Sequence, residues 1–213
     1  MVQIIPAINA ENFSDVAEKI KKIEPYAQWA HLDVADGTFT PNVLWHNSAE
    51  LVGLATKLKL EVHLMLGDID GKIDPWLAAP GVVRIIFHVE AARDVSAVIA
   101  RCRAAGKEVG LSLRPETDVR TLAPYFDKID LVQILAVPPG RAGQGFDENA
   151  LQKIVAVRAA CPRCIIEVDG GMKIGTAALA KKAGADIIVA ASAIFNAADI
   201  EQAIKNLQDD TLA

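Results

Sequence analysis

The chain has 213 residues, of which 52% are hydrophobic, 5% aromatic and 23% charged, and its formal net charge is −5. This acidic balance argues against nucleic-acid binding, which favours concentrated lysine and arginine. No apolar run reaches the roughly 18 residues that a membrane span requires, and the N-terminus lacks the basic and apolar regions of a signal peptide. We therefore expect one domain over residues 1–213 in the cytoplasm, with neither nucleic acid nor membrane as a partner.

The cysteines give no indication of a disulfide framework. The chain has three, and two of them lie in the segment Cys161-Pro-Arg-Cys164. A zinc ribbon would need a second Cys-x-x-Cys pair. We interpret Cys161 and Cys164 as two small residues at a junction between a helix and a strand.

Short apolar runs alternate with amphipathic stretches along the chain. We predict these runs as eight strands: VQIIPAI (2–8), AQWAHLDV (27–34), LEVHLML (60–66), VVRIIFHV (82–89), EVGLSL (108–113), IDLVQILAV (129–137), CIIEVD (164–169) and ADIIVAA (185–191). Apolar residues at helical spacing within 95–102 and 200–207 predict helices between and after them. Ser14 is predicted as a helix N-cap, and Gly106 and Gly184 as the glycines that follow helix ends.

Eight alternating strands and helices fit an α/β fold of the (β/α)8 TIM-barrel type. A doubly wound open sheet is the alternative. Such a sheet usually has fewer strands and a glycine-rich turn after the first one, whereas the first predicted strand runs into PAINAEN (6–12), which has no glycine. In a barrel, catalytic groups lie at the C-terminal ends of the strands.

Side-chain alternation directs ionisable residues into the predicted barrel. Successive side chains of a strand point to opposite faces. The apolar set of the second strand suits the helix layer, which leaves His31 and Asp33 facing inward. The same argument turns His63 of the third strand and Asp169 of the seventh toward the same rim.

Two histidines and two carboxylates at one rim fit a metal site. Imidazole suits zinc, iron or cobalt, and mixed nitrogen and oxygen ligands also accept manganese. Glu61 and Glu167 lie one layer deeper, where they could accept hydrogen bonds from the ligands. The alternative is that each of these residues is a hydrogen-bonded polar residue of the core.

Small residues follow the sixth, seventh and eighth predicted strands. Glycines let backbone N–H groups turn toward an anion, and these loops form the recurrent phosphate site of TIM barrels. The residues are Gly140, Gly143 and Gly145 after the sixth strand, Gly170 and Gly171 after the seventh, and Ala191 and Ser192 after the eighth. The alternative is that these glycines only shape turns.

Several segments resemble, in chain order, the signatures of the ribulose-phosphate 3-epimerase family. They are HLDVADGTFTPN, EVHLML, FHVE, GLSLRPET, AVPPGRAGQGF and IIEVDGG followed by KKAGADIIVAASAIF, and the resemblance extends from Pro6 to Phe195. It implies an isomerase that inverts C3 of a ketose phosphate and interconverts D-ribulose 5-phosphate and D-xylulose 5-phosphate in the pentose phosphate pathway. It also implies a homo-oligomer, either a dimer or a hexamer.

The resemblance also implies roles for individual residues. One divalent metal ion (zinc, iron, manganese or cobalt) is expected on His31, Asp33, His63 and Asp169. Asp33 and Asp169 are expected to be the catalytic acid/base pair, while His88 has a supporting role outside the metal set. The expected substrate and phosphate contacts are His63, Gly140, Arg141, Ala142, Gly143, Gly170, Gly171, Ala191 and Ser192.

The chain departs from the family pattern around the expected substrate. Ala7 replaces a serine, Ala35 and Leu135 replace methionines, Arg114 replaces an asparagine, and Ala191 replaces a glycine. We expect these changes to open space over the sugar, and Arg114 and Arg141 to approach the mouth of the barrel. A different ketose phosphate, such as allulose 6-phosphate, is therefore an alternative substrate.

Two further functions stay open. The chain could be a barrel that binds metal or phosphate with little epimerase activity, because Ala7 and the altered loop weaken substrate placement. It could also be a lyase or decarboxylase of the related sugar-phosphate barrels. Those enzymes carry an Asp-x-Lys-x-x-Asp run, and here Ala35 stands two residues after Asp33, where the lysine would be. We expect Asp36 and Gly37 to shape the turn after the second strand.

Overall fold

Eight parallel strands close into a barrel in the computed structural model, which describes residues 2–139 and 145–212. Each strand pairs with the next along the chain, and the last pairs with the first. The strands are β1 (Gln3–Ile8), β2 (Trp29–Ala35), β3 (Lys59–Met65), β4 (Val82–His88), β5 (Glu108–Leu113), β6 (Leu131–Leu135), β7 (Ile165–Asp169) and β8 (Ile187–Ala190). The predicted TIM barrel and its eight strands are confirmed, and the open sheet is excluded.

Helices surround the barrel, although the connections differ in length. Those described are α1 (Phe13–Ile23), α2 (Ile69–Lys72), α3 (Asp74–Leu77), α4 (Val95–Ala104), α5 (Asn149–Ala160), α6 (Thr176–Ala183), α7 (Ser192–Phe195) and α8 (Ile200–Asp210). Between β2 and β3, and between β5 and β6, the described chain forms 3₁₀ segments instead, Ser48–Gly53 and Val119–Tyr125. Within the described residues, no helix is long and apolar enough to cross a membrane.

One predicted helix cap is wrong. Asn12, not Ser14, caps α1, because its side chain accepts a hydrogen bond from the backbone N–H of Asp15. Ser14 lies inside the helix and donates to the same asparagine oxygen. Gly106 and Gly184 follow α4 and α6 with φ of +70° and +119°, as predicted for glycines that end helices.

The cysteine pair also differs from its interpretation. Cys161 and Cys164 form a disulfide between α5 and β7, with their Cα atoms 5.4 Å apart. The interpretation as two unlinked small residues is therefore wrong, because the turn between these elements brings the two side chains together. This turn precedes β7, so the disulfide lies at the opposite end of the strand from Asp169.

The inside of the barrel has an apolar part and a polar part. Its apolar part is Ile5, Ala7, Trp29, Ile86, Leu131, Ile187 and Val189. Buried polar side chains from β2 to β7 occupy much of the remaining interior, including His31, Glu61, Arg84, Gln133 and Glu167. Burying polar groups is costly unless they are hydrogen-bonded or charge-compensated. This polar layer is therefore the candidate location of the functional site.

Candidate metal centre and active site

Four side chains from three strands converge at the carboxyl-terminal mouth of the barrel. They are His31 and Asp33 of β2, His63 of β3 and Asp169 of β7. One nitrogen or oxygen atom of each lies within 4.8 Å of the corresponding atoms of the other three. The structure thus brings together the four residues that side-chain alternation directs to this rim.

The distances within this group fit a shared metal ion. Asp33 Oδ1 lies 3.5 Å from His31 Nε2 and 3.1 Å from His63 Nδ1, and His63 Nδ1 lies 3.9 Å from Asp169 Oδ2. With metal–ligand distances of about 2.1 Å, tetrahedral ligand atoms are about 3.4 Å apart. Within the described residues, the buried His31 Nε2 also has no hydrogen-bond partner. An imidazole nitrogen without a partner and two nearby carboxyl groups are ligands that a divalent cation accepts.

The other ring nitrogen of His31 is held from below. His31 Nδ1 lies 2.8 Å from Glu61 Oε1, and both side chains are fully buried. Burial alone would lower the pKa of His31, but its contacts with Asp33 and Glu61 raise it well above the ordinary value. The site therefore attracts positive charge, and a binding cation would displace the ring proton.

A second carboxyl group, that of Glu167, also lies near His31. Glu167 accepts a hydrogen bond from Gln133 Nε2 at 3.1 Å. Burial, together with the neighbouring Glu61 carboxylate, raises the pKa of Glu167 well above its usual range. These surroundings favour the neutral form of Glu167, which reduces the cost of burying it beside Glu61.

His63 is also held through its second ring nitrogen. Its Nε2 atom lies 2.9 Å from His88 Nε2, and His88 Nδ1 lies 3.6 Å from Glu90 Oε2. Glu90 in turn accepts hydrogen bonds from the backbone N–H of Arg114 and the hydroxyl of Thr117. Burial lowers the pKa of His88 to about 4, so His88 is neutral and able to accept from His63. His88 thus contacts His63 from outside the four-residue group, which fits a supporting role.

The two aspartates of the group have opposite electrostatic environments. Burial would raise the pKa of Asp33, but contacts with His31 and His63 move it below its usual range. Burial and the nearby Asp33 carboxylate raise the pKa of Asp169 to about 6. Two neighbouring carboxyl groups whose pKa values are pushed apart are typical of an acid/base pair.

Asn9 is a site residue that the sequence analysis missed. It follows β1, and its side-chain amide lies 3.4 Å from Asp33 Oδ2. The backbone carbonyl oxygen of Asn9 accepts a 2.7 Å hydrogen bond from the ammonium group of Lys19, a residue of α1. With Ala7, Ala191, Ser192, Phe195 and Asn196, these two residues line a cavity of about 240 Å³. The signal in the sequence for this role is weak: Asn9 is a polar residue directly after a predicted strand.

The expected phosphate loops are only partly described. Gly140, Arg141, Ala142 and Gly143 lie outside the described residues. Gly170 and Gly171 follow β7 with φ of +102° and +67°. A Cβ atom on Gly171 would lie 2.9 Å from the backbone of Phe146, so only glycine lets these two loops pack so closely. Ala191 and Ser192, after β8, line the cavity beside Asn9.

Two departures from the family pattern have clear surroundings. Ala35 is fully buried and packs with Leu44 and Met65, so the space expected beside it is filled by these neighbours. Arg114 stacks on Phe39, with its guanidinium carbon 4.1 Å from the ring centroid, and donates to the carbonyl oxygen of Phe39. Arg114 therefore joins the loops after β2 and β5.

Asp36 lies outside the converging group. It accepts hydrogen bonds from the backbone N–H and hydroxyl of Thr38 and from Lys72 Nζ. Gly37 follows it with φ of +81°. These contacts are those of the turn that the sequence predicts here.

Comparison with known proteins identifies the family. The model of the ribulose-phosphate 3 epimerase family matches residues 3–195. The chain belongs to the ribulose-phosphate 3-epimerase family. It is 34% identical to the ribulose-phosphate 3-epimerase of Bacillus subtilis, an alignment that covers 98% of this chain and 99% of that one. It is also 33% identical to the enzyme of the same name from Schizosaccharomyces pombe, with 100% and 96% covered.

Solved structures show the same fold at lower identity. KGPDC from Streptococcus mutans superposes with a TM-score of 0.74 at 14% identity, covering 98% of this chain and 96% of that one. This likeness concerns the barrel alone. The predicted family and its isomerase class, the carbohydrate-phosphate 3-epimerases, are thus confirmed by the relatives.

Proposed function

We propose that this protein is a metal-dependent epimerase that inverts C3 of a ketose phosphate and interconverts D-ribulose 5-phosphate and D-xylulose 5-phosphate. One observation carries the proposal: Asp33 and Asp169 belong to the same converging group as His31 and His63. Family membership supports a pentose phosphate as the substrate.

Inversion at C3 needs a proton removed from one face and another delivered to the opposite face. Asp33 on β2 and Asp169 on β7 approach the mouth from different parts of the barrel wall. In one direction Asp33 takes the C3 proton, the C–H electron pair moves toward the C2 carbonyl, and Asp169 returns a proton to C3 from the other side. The reverse reaction exchanges these roles. Each such transfer is typically worth about 10²–10⁴-fold in rate.

The four-residue group is suited to a single divalent cation. His31, Asp33, His63 and Asp169 would hold it, and zinc, iron, manganese and cobalt all accept this mixture of imidazole and carboxylate. Such a cation supplies Lewis-acid stabilisation of the negative charge that develops next to the reacting carbon. Glu61 and His88 orient the two imidazoles, so that each presents one nitrogen to the group.

The phosphate end of the substrate would bind at the loops after β6, β7 and β8. Backbone N–H groups at such loops bind anions, and binding energy from this remote group supports catalysis at C3. His63 would contact the sugar as well as the cation. The remaining proposed contacts are Gly140, Arg141, Ala142, Gly143, Gly170, Gly171, Ala191 and Ser192.

A hexulose phosphate such as allulose 6-phosphate is the second candidate substrate. The observation in its favour is the cavity beside Asn9, which Ala7 lines without filling. A longer ketose has one more carbon to place between C3 and the phosphate. This candidate keeps the same acid/base pair and changes only the substrate.

A substrate panel tests the proposal. D-Ribulose 5-phosphate, D-xylulose 5-phosphate and allulose 6-phosphate are each incubated in deuterated water, and deuterium at C3 is followed by NMR. We expect rapid incorporation with interconversion of the two pentulose phosphates. Activity on the hexulose alone would assign the second candidate. Binding of metal and phosphate without incorporation into any of the three would leave a binding protein and contradict the epimerase.

We also propose that the protein acts in the cytoplasm as a homo-oligomer, a dimer or a hexamer. The support is the family resemblance. Sedimentation equilibrium on the purified protein distinguishes these states, and a monomer would contradict the expectation.

A further inference from the structure

Arg84 is a buried arginine in the middle of β4, and only 4% of its surface is exposed. Its guanidinium group faces the barrel interior and makes three hydrogen bonds. NH1 donates to Glu61 Oε2 at 2.6 Å, while Nε and NH2 donate to Glu108 Oε2 at 2.9 and 2.7 Å. The guanidinium carbon also lies 4.4 Å from the ring centroid of Trp29. Arg84 is not one of the four residues at the mouth.

Arg84 is connected to the mouth through one carboxylate. Glu61 uses its second oxygen, Oε1, to contact His31 Nδ1 at 2.8 Å. The register of the sheet explains this arrangement, because His31 lies opposite Glu61, and Glu61 lies opposite Arg84. The three side chains therefore form one continuous line across β2, β3 and β4. That line ends at His31 Nε2, the unpartnered nitrogen of the candidate metal site.

The positive charge of Arg84 has two effects: it neutralises the buried acidic layer, and it fixes which oxygen of Glu61 faces His31. His31, Glu61 and Glu167 are close enough together to surround a cation of their own. The Arg84 guanidinium already supplies a cation at Glu61 Oε2, so it neutralises the layer that a second metal ion would otherwise occupy. A planar guanidinium also fixes the orientation of the carboxylate that it contacts. With Oε2 held, Oε1 points at His31 Nδ1 and keeps the ring hydrogen on that nitrogen.

We propose that Arg84 is a positioning residue for the metal centre, acting through Glu61 to hold His31 with Nε2 free for the cation. The inference rests on the metal site of the proposed function, and it assigns one cation per chain. Contacts behind a metal-binding histidine typically change metal affinity by about 10–100-fold.

Metal affinity measured without substrate tests the inference. Cobalt(II) is titrated into metal-free protein in competition with a chelator, and the visible absorption of bound cobalt reports the coordination geometry. We expect Arg84→Met to weaken cobalt binding by about 10–100-fold and to alter the spectrum. Arg84→Lys keeps the charge but has no planar fork, so we expect an affinity between those of Arg84→Met and the wild type.

Arg158→Met is the matched control. Arg158 is a partly buried arginine of α5 that bonds Asp186 and the carbonyl oxygens of Cys164 and Gly184. These contacts lie near the amino-terminal end of β7, away from the mouth. We expect Arg158→Met to lower the stability of the fold and leave cobalt affinity and spectrum unchanged. This control separates a positioning effect from general destabilisation.

Each outcome has one meaning. Wild-type cobalt affinity in folded Arg84→Met overturns the inference and leaves the proposed function intact. If Arg84→Met does not fold, Arg84→Lys decides, and unchanged affinity in that variant also overturns it. A wild-type protein that binds two cobalt ions in the barrel, or none, overturns the inference; the second result also contradicts the metal site of the proposed function.

Discussion

The Nε2 atoms of His63 and His88 lie 2.9 Å apart, so one ring donates a hydrogen bond to the other. If the proposed cation binds His63 Nδ1, which faces Asp33 and Asp169, the ring hydrogen lies on Nε2 and is donated to His88. His88 must then be neutral at Nε2 and carry its hydrogen on Nδ1, facing Glu90. The 3.6 Å between His88 Nδ1 and Glu90 Oε2 is longer than a hydrogen bond, so Glu90 acts on His88 through its nearby charge.

This arrangement predicts a pH-dependent contribution to stability. Burial lowers the pKa of His88 to about 4, with smaller effects of the same sign from His63 and Arg114 and an opposing effect from Glu90. Between pH 6.5 and 4 the unfolded chain therefore binds a proton that folded His88 does not, so this contribution is lost as the pH falls. We expect it to amount to about 2 kcal/mol between pH 6.5 and 5.

Urea unfolding of metal-free protein at both pH values measures this effect. In His88→Asn the free energy of unfolding should fall less between pH 6.5 and 5 than in the wild type, by about 2 kcal/mol. His46→Asn, which removes an exposed histidine, is the control and should behave like the wild type. An equal pH dependence in the wild type and His88→Asn would contradict the assignment.

The acid/base pair gives a second prediction. In the epimer that Asp169 deprotonates, Asp169→Asn should lower the exchange of the C3 proton with solvent by about 10²–10⁴-fold, because an amide neither accepts nor delivers that proton. Deuterium incorporation followed by NMR is the measurement. Asp36→Asn changes a nearby aspartate whose side chain bonds Thr38 and Lys72, and it should retain exchange. Wild-type exchange in Asp169→Asn would rule out the two-aspartate scheme.

Metal removal gives a third prediction. A ligand present at about 100 times its Kd stabilises the folded state by about 2.7 kcal/mol. For a chain of this size, that corresponds to roughly 5–10 °C in Tm. Chelator treatment should therefore lower the Tm by this amount, and one equivalent of zinc or manganese should restore it. The Tm of His63→Asn should not change with chelator or added metal. A wild-type Tm that stays the same after chelator treatment would argue against a resident cation.

The loop after β7 gives a fourth prediction. Gly170 has φ of +102°, and a Cβ atom there would lie 2.4 Å from Val137 Cγ2. Gly170→Ala should therefore cost about 1–3 kcal/mol of stability and raise KM for the phosphorylated substrate. Gly53→Ala, where an added Cβ meets nothing within 4 Å, is the control. Lower stability with unchanged KM would show that Gly170 shapes the turn without serving the phosphate.

Side-chain alternation was enough to predict the four residues of the mouth. It fixes the face on which His31, Asp33, His63 and Asp169 lie, and the C-terminal ends of barrel strands share one rim. Alternation does not give the register between strands. The line from Arg84 through Glu61 to His31 could therefore not be predicted from the sequence, because it depends on which residues of β2, β3 and β4 stand side by side.

Loops and turns were the other source of missed features. Asn9 lies directly after β1, and its contact with Asp33 depends on the backbone beyond the end of the strand. The Cys161–Cys164 disulfide depends on the path of a short turn, and the α1 cap moves by two residues from Ser14 to Asn12. Each of these depends on local backbone angles, which hydrophobic periodicity does not determine.

The pairing of β2 with β3 ties metal binding to the assembly of the barrel. Asp33 stands opposite His63, and His31 stands opposite Glu61. A slip of one residue between these strands would turn one set of side chains toward the helices, and the ligands would no longer meet. The proposed cation would therefore bind tightly only to a chain with the correct strand register and with β7 in place. Cation uptake during refolding would report the moment at which the barrel closes correctly.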